Sequence, residues 1–173
     1  RGVLKFQPEA KVTALDFSSE MLELANQQKD ENAHGLNYIR GDAMAPPFPK
    51  EYFEAVTVGY GLRNVADLSA CIENILSLLK PSGVLVCLDV GKVNIPVIAQ
   101  LNRFYFFKIV PLIGKWLMPG QEMFDYLPHS SINYPDQKKL KKILLEEGFQ
   151  KVDVYDFVFG ASTIHVAQKH SGS

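Results

Sequence analysis

The sequence predicts an α/β domain built on a parallel sheet that closes with an antiparallel pair of strands. Three observations predict it. Short β-prone runs alternate with helical periods through residue 88. The run 84–88 is nearly all apolar, as a strand covered on both faces requires. The last two β-prone runs, 152–159 and 163–167, are separated by a link at Gly160 too short for a parallel crossover.

Taken in order, the run 12–15 ends at Asp16 and is bounded upstream by Pro8-Glu9. Ser18 or Ser19 is placed to cap the helix that follows, with Glu20 in its first turn and Met21, Leu22 and Ala25 as its apolar stripe. The run 36–39 is the second strand and ends at Gly41-Asp42. Pro46, Pro47 and Pro49 make the next connection irregular. The run 53–58 reaches Gly59-Tyr60-Gly61. Asp67 caps a helix whose Leu68, Cys71, Ile72, Ile75, Leu76 and Leu79 recur at a spacing of three and four, and Lys80-Pro81-Ser82-Gly83 supplies its stop. After Pro135-Asp136 a helix carrying Leu140, Ile143 and Leu144 runs to Gly148. Residues 92–134 break the alternation. They are long, aromatic-rich and punctuated by proline, and are expected to form a helical lid inserted in a single domain spanning 1–173. Residues 170–173 read as a frayed tail.

A chain of 173 residues, 47% apolar and 21% charged, suits one globular domain with a sizeable core. A formal charge of −1 supplies no overall basic field, so no nucleic-acid partner is expected. Cys71 and Cys87 are too few for a disulfide framework and read as small core residues of a reduced protein. No metal site is expected. The roughly 20 uninterrupted apolar residues that span a bilayer are absent. The richest stretch, 104–118, is broken by Lys108, Pro111 and Lys115. The chain opens on Arg1-Gly2 with neither an initiator Met nor a signal sequence, which leaves the compartment open.

Ligands of open α/β sheets bind beyond the carboxyl ends of the strands. Three such ends carry suggestive residues. An acid at Asp16 can accept hydrogen bonds from both ribose hydroxyls of a nucleoside cofactor. Asp42 is placed for the exocyclic amine of an adenine, with Ala43 leaving room for the ring. At Gly59-Tyr60-Gly61 the missing side chains permit close backbone approach. One aspartate at a strand end is more often an ordinary turn residue, but three such ends on successive strands weaken that reading.

At this point the chain resembles the ubiquinone/menaquinone C-methyltransferases, a family of class I S-adenosylmethionine-dependent enzymes. Residues 59–65, Gly-Tyr-Gly-Leu-Arg-Asn-Val, resemble the family's G-L-R-N signature. Residues 78–90 resemble its second signature, L-K-P-G-G followed by a strand and an acidic residue. Tyr134-Pro135-Asp136-Gln137 with Glu147-Gly148-Phe149 resembles its late helix, and 160–168 its closing strand. The likeness covers about residues 11–169, with Ser82 for a usual glycine, Asp89 for a usual glutamate and Gly91 for a usual serine. Gly59 stands where some members have serine.

The resemblance implies a Rossmann-like sheet and methyl transfer from S-adenosyl-L-methionine to a ring carbon of a prenylated benzoquinol or naphthoquinol, in ubiquinone, menaquinone or phylloquinone synthesis. By the same analogy Asp16, with Phe17 beside it, holds the cofactor ribose, Asp42 and Ala43 the adenine, and Gly59 with Tyr60 the amino-acid part. The family's first strand and D-x-G-x-G-x-G-type loop are not in this chain. That strand would lie between those ending at Asp16 and Gly59, so the expectation is a piece of a longer enzyme that folds poorly or binds cofactor weakly by itself.

Methyl transfer from a sulfonium needs positioning rather than a protein nucleophile. A quinol ring carbon becomes nucleophilic when its hydroxyl loses a proton, so a proton acceptor and an oxyanion stabiliser are required. Arg63 and Asn64 are the candidates for stabilisation. The plainer reading is that Arg63 pairs with a structural carboxylate. His129, Tyr126 and Asp125 of the lid are candidates to supply or relay the proton, although a lone lid histidine is more often a packing residue. The lid aromatics, among them Phe104, Phe106 and Trp116, suit either a groove for a prenyl tail and peripheral membrane contact, or a lid core and homodimer interface. Cytoplasm, a membrane surface, chloroplast and mitochondrion all remain open. Competing readings are a methyltransferase for another lipid-like molecule and a non-catalytic scaffold in a quinone-synthesis complex. A nicotinamide-dependent dehydrogenase would explain neither Asp42-Ala43 nor the antiparallel pair.

Overall fold

The computed structural model describes residues 2–28, 35–93 and 134–172, together with Ile95, Gln100, Phe104 and Ile109. Most of the expected lid, including Asp125, Tyr126 and His129, lies outside the described residues. The chain divides into two compact units, Arg1–Phe48 and Pro49–Ser173.

The first unit holds a short helix α1 (Gly2–Phe6), strand β1 (Val12–Asp16), helix α2 (Ser19–Gln27) and strand β2 (Leu36–Arg40). The strands pair in parallel from Val12 opposite Leu36 to Asp16 opposite Arg40. Helix α1 was not expected, because five residues carry no readable period. Ser18 caps α2 by accepting from the Met21 N–H at 3.2 Å, and Tyr38 Oη donates to the Ala25 carbonyl at 3.1 Å to tie helix to strand. Of the predicted α2 stripe, Leu22 and Ala25 are half-buried while Met21 is exposed.

The second unit is a four-stranded sheet in the order β3-β4-β6-β5, with β3 (Phe53–Gly59), β4 (Leu79–Val90), β5 (Phe149–Phe157) and β6 (Ser162–Lys169). Strands β3 and β4 are parallel, while β4–β6 and β5–β6 are antiparallel, as the short link at Gly160 requires. Helix α3 (Leu68–Leu78) turns Cys71, Ile72, Ile75 and Leu78 inward, and Asp67 caps it by accepting from the Ala70 N–H at 3.1 Å. Helix α4 (Gln137–Glu146) buries Leu140 and Leu144, and Asp136 caps it through the Lys139 N–H at 2.8 Å. With Leu85, Cys87, Val152 and Ala167 these form the core. Each fully buried Leu or Ile side chain contributes about 1.5–3 kcal/mol.

Two expectations need correction. Strand β4 is not covered on both faces among the described residues: Leu85, Cys87 and Asp89 are buried, whereas Val84, Val86, Leu88 and Val90 alternate with them at intermediate exposure. Nor does residues 80–83 form a separate stop after the helix. The helix ends at Leu78, and the stretch is the irregular opening of β4, where the pairing jumps from Phe53 opposite Leu79 to Ala55 opposite Val84. Ser82 takes a left-handed φ of 61° there. An L side chain is strained in that conformation, so Ser82→Gly should raise stability by about 0.5–1 kcal/mol in denaturant unfolding, the relief of strain exceeding glycine's extra unfolded-state entropy. An unchanged midpoint would show that the turn carries no strain.

Candidate active site

In the first unit both strand-end acids do a turn's work with one oxygen. Asp16 Oδ1 accepts from the Ser18 N–H at 2.8 Å, which sets the entry to α2. Asp42 Oδ1 accepts from the Met44 N–H at 2.8 Å, and its carbonyl accepts from Ala45 at 3.0 Å. The ordinary turn reading is therefore true of both residues. Neither carboxylate spends its second oxygen on a hydrogen bond among the described residues, and both side chains are exposed. The Gly41 N–H donates to the Asp16 carbonyl at 3.0 Å and carries the parallel ladder past the strand ends, bringing the two acids to one edge. Beside them Arg40 Nε donates to the Phe17 carbonyl at 3.3 Å, and its guanidinium carbon lies 6.0 Å from the Phe17 ring centroid. The ring is 71% exposed, an apolar plate next to two free carboxylate oxygens. Ala43 is exposed in the same turn.

In the second unit β3 delivers Gly59, where an added Cβ would meet nothing within 4 Å. Tyr60 follows in a left-handed conformation, φ 56°, which is costly for an aromatic residue. Its N–H donates to the Leu88 carbonyl at 2.8 Å, and its own carbonyl accepts from Asn64 Nδ2 at 3.3 Å. A 3-10 turn, Leu62–Asn64, is anchored by Leu62, which is buried. The turn aims Arg63 across β4: Nη1 lies 3.3 Å from Asp89 Oδ1, and the guanidinium carbon is 5.3 Å from the Tyr60 ring centroid. Thus Arg63 does pair with a carboxylate, as the plainer reading had it. Asp89 Oδ1 also accepts from the Val90 N–H at 2.8 Å, while Asp89 Oδ2 and Arg63 Nε have no partner among the described residues. Burial pushes the Asp89 carboxyl above its usual range, and the Val90 N–H and the Arg63 charge pull it partly back.

Cys87 Sγ lies 4.0 Å from Tyr134 Oη. Burial raises the thiol to about 12 and raises the phenol as well, so both groups keep their protons and neither serves as nucleophile or base at neutral pH. A second polar cluster centres on Gln137 at the start of α4. Its Nε2 donates toward the carbonyls of Lys92 and Gly160 at 3.1 and 3.2 Å and toward Asp156 Oδ1 at 3.3 Å, and its Oε1 accepts from the Lys92 N–H at 3.0 Å. Gly91 is part of this packing. A Cβ there would fall 2.3 Å from the Gly160 carbonyl oxygen, so the serine usual in the resembling family does not fit this arrangement.

His165 Nε2 donates to the Gln137 carbonyl at 3.0 Å, Nδ1 has no partner, and burial lowers the ring's pKa below 6.5. The unfolded chain therefore takes up this proton before the folded one does. Stability should be fully present above about pH 6.5 and fall as pH drops below it, and His165→Gln should flatten that limb in unfolding curves from pH 7.5 to 5. An identical limb in the variant would assign the effect elsewhere.

The structure thus places Asp16, Phe17, Asp42 and Ala43 together in one unit, and Gly59, Tyr60, Arg63 and Asn64 together in the other. Sequence reasoning did not single out Asp89 or Gln137 as functional. The readable signals were the acid that closes an otherwise apolar strand and second signature at Asp89, and the Tyr-Pro-Asp-Gln run that ends at Gln137. Among the described residues no cluster of His, Cys, Asp and Glu could hold a metal.

An α/β chain with acids and glycine at successive strand ends and a closing antiparallel pair has the class I methyltransferase fold. Solved structures agree at the level of fold. An S-adenosylmethionine-dependent methyltransferase from Mesorhizobium loti superposes with a TM-score of 0.63 at 17% identity, over 92% of this chain and 81% of its own. The [4+2]-cyclase SpnF gives 0.69 at 15%, over 99% and 72%. The model of the ubiE/COQ5 methyltransferase family matches residues 3–169, and the chain belongs to that family. A demethylmenaquinone methyltransferase of Leptospira interrogans is 48% identical over 164 residues, covering 92% of this chain and 66% of that protein. One from Staphylococcus haemolyticus is 35% identical, covering 94% and 67%. The chain spans about two-thirds of the length of these curated relatives.

Proposed function

We propose that both units belong to one S-adenosylmethionine-dependent methyltransferase domain, and that the reaction methylates a ring carbon of a prenylated naphthoquinol, the substrate class in the relatives' names. The observation that carries this reading is the family match across residues 3–169, which takes in every strand end described above. The residues fit the cofactor. Asp16 and Asp42 each hold one carboxylate oxygen free and fixed, suited to ribose hydroxyls and to an adenine amine. Phe17 and Ala43 offer an apolar plate and space for a ring. The cofactor supplies an electrophilic methyl on a sulfonium. The protein's part is to orient the acceptor ring, exclude water and stabilise the oxygen whose negative charge activates the ring carbon. Arg63 is assigned that last role, with Asn64 bracing its turn through the Tyr60 carbonyl. Tyr126 and His129 stay candidates for moving the proton.

A prenylated quinol dissolves in membranes, so the reading includes contact with a bilayer surface. Among the described residues no helix is long and apolar enough to cross one.

Calorimetric titration of S-adenosylhomocysteine tests the reading, using this chain and a version lengthened upstream by the natural sequence. Asp16→Ala and Asp42→Ala should each weaken binding roughly 10- to 100-fold, the worth of a charge-assisted hydrogen bond. Full affinity in both variants, or no binding by a folded lengthened protein, would remove the cofactor assignment.

A further inference from the structure

Asp89 closes a strand whose neighbouring positions on the same face, Leu85 and Cys87, are apolar and sealed. Its side chain is 1% exposed and that of Arg63 is 7% exposed. For the fold alone this is a poor bargain. A buried ion pair barely repays its desolvation even with ideal geometry, and apolar residues of similar volume commonly serve as well. Here the geometry is not ideal: one bond of 3.3 Å joins the pair, and Arg63 Nε and Asp89 Oδ2 are both left over. The guanidinium also lies over the ring of Tyr60, its carbon 5.3 Å from the centroid, and Tyr60 holds a left-handed backbone with a φ of 56°. Two unfavourable local choices, a buried carboxylate and a strained aromatic, converge on a single side chain. Both lie at the carboxyl ends of the parallel strands β3 and β4, the end at which this architecture binds ligands.

We propose that Asp89 is a positioning residue that acts through Arg63, with the Tyr60 ring as the second contact of the clamp. The carboxylate fixes the guanidinium so that its remaining N–H donors meet the negatively charged oxygen of the acceptor ring. The inference rests on the role given to Arg63 above. Without the clamp Arg63 sits on a three-residue turn with many rotamers, and its donors are not aimed before reaction. Preorganised donors are what stabilise developing charge, and a misplacement of about 1 Å costs on the order of 100-fold in rate.

The test uses the enzyme with its natural upstream sequence, a short-tailed demethylnaphthoquinol and S-adenosylmethionine. Asp89→Asn should lower kcat about 100-fold, as for a misaimed donor. Active-site number and affinity, titrated with S-adenosylhomocysteine, should remain within twofold of the parent. Loss of folded protein would instead lower site number and rate together, which separates positioning from simple destabilisation. Asp89→Glu, which keeps the charge, should recover at least a tenth of the rate. Arg63→Lys should lose as much as Asp89→Asn, and the double variant should lose no more than either, because the two act as one unit. Full activity in Asp89→Asn beside an impaired Arg63→Lys would overturn the clamp while leaving the role of Arg63 standing. Multiplying losses in the double variant, or a rate that only follows site number, would also overturn it. Full activity in Arg63→Lys would overturn both. Should Asp89→Asn fail to fold, Asp89→Ser takes its place: a rate per titrated site about 100-fold below the parent upholds the clamp, and a parental rate per site refutes it.

Discussion

Replacing Arg63 by methionine is expected to lower stability by about 3–5 kcal/mol, because removal of one member of a buried pair leaves the other charge uncompensated. The stranded group is Asp89, with Oδ2 already unpartnered and Oδ1 left with only the Val90 N–H. Its carboxyl, already raised by burial, loses the cation that pulls it down and rises further. The sign of the pH effect follows. A carboxyl whose folded pKa exceeds its unfolded value near 3.8 binds a proton in the native state over the window above 3.8, so stability falls as pH rises through that window. The methionine variant should therefore show a larger deficit at pH 8 than at pH 5 in urea unfolding. Adding Asp89→Leu removes the stranded charge and should restore stability to within about 1 kcal/mol of the parent. A deficit that is flat with pH, or a double variant as weak as the single, would mean that the pair is solvated rather than buried.

Gln137→Leu is expected to cost about 2–4 kcal/mol, since one neutral side chain serves three main-chain groups and a carboxylate. The Gly160 carbonyl is the most exposed to loss. Gly160 is buried, at a φ of 91° in a turn where Val158 and Phe159 are also left-handed. Those two residues are 72% and 66% exposed, so packing does little to hold them, and the turn rests on the Ala161 N–H to Val158 carbonyl bond, the Gly91 N–H to Ala161 carbonyl bond and the Gln137 bond. Hydrogen exchange at the Lys92 amide, which donates to Gln137 Oε1, should rise by more than global unfolding accounts for. Gln137→Glu should be worse than leucine at neutral pH, because a carboxylate would face two carbonyl oxygens and Asp156. A variant within 0.5 kcal/mol of the parent would show that water replaces the amide at no cost.

The relation between the two clusters bears on how the active end of the second unit is built. Asp89 lies in β4 and Gly91 directly follows the strand's last residue, Val90; Asp89 pairs in register with Thr163, and the Gly91 N–H donates to the Ala161 carbonyl at 3.0 Å. The turn that Gln137 contacts thus begins just past the end of the β4–β6 ladder, beyond the Val90–Ser162 pair that follows Asp89. His165, paired with Cys87 on the same ladder, donates to the Gln137 carbonyl. These buried polar groups lie on and beside the two interior strands of the sheet, β4 and β6.

Much of this was legible in the order of residues, and the particular cases show why. Ser18 and Asp67 cap their helices because a short oxygen side chain just before an apolar stripe meets free N–H groups whatever the rest of the fold does. Asp16 and Gly59 are the last residues of their strands, and Asp42 lies two residues past the end of its own, because each stands at the close of a β-prone run. The antiparallel β5–β6 pair follows from a link too short to cross over. These features depend on neighbours within a few positions, and the sequence by itself determined them. The local sequence did not determine which face of β4 is sealed, since Val84, Val86 and Leu88 are as apolar as Leu85 and Cys87. It did not determine that Arg63 meets Asp89, 26 positions away, or that Gln137 closes on Lys92 and Gly160, 45 and 23 positions away. Those contacts follow from the registers of β3 on β4 and of β4 on β6. Register is decided by the burial of whole faces at once, and so it belongs to the tertiary structure.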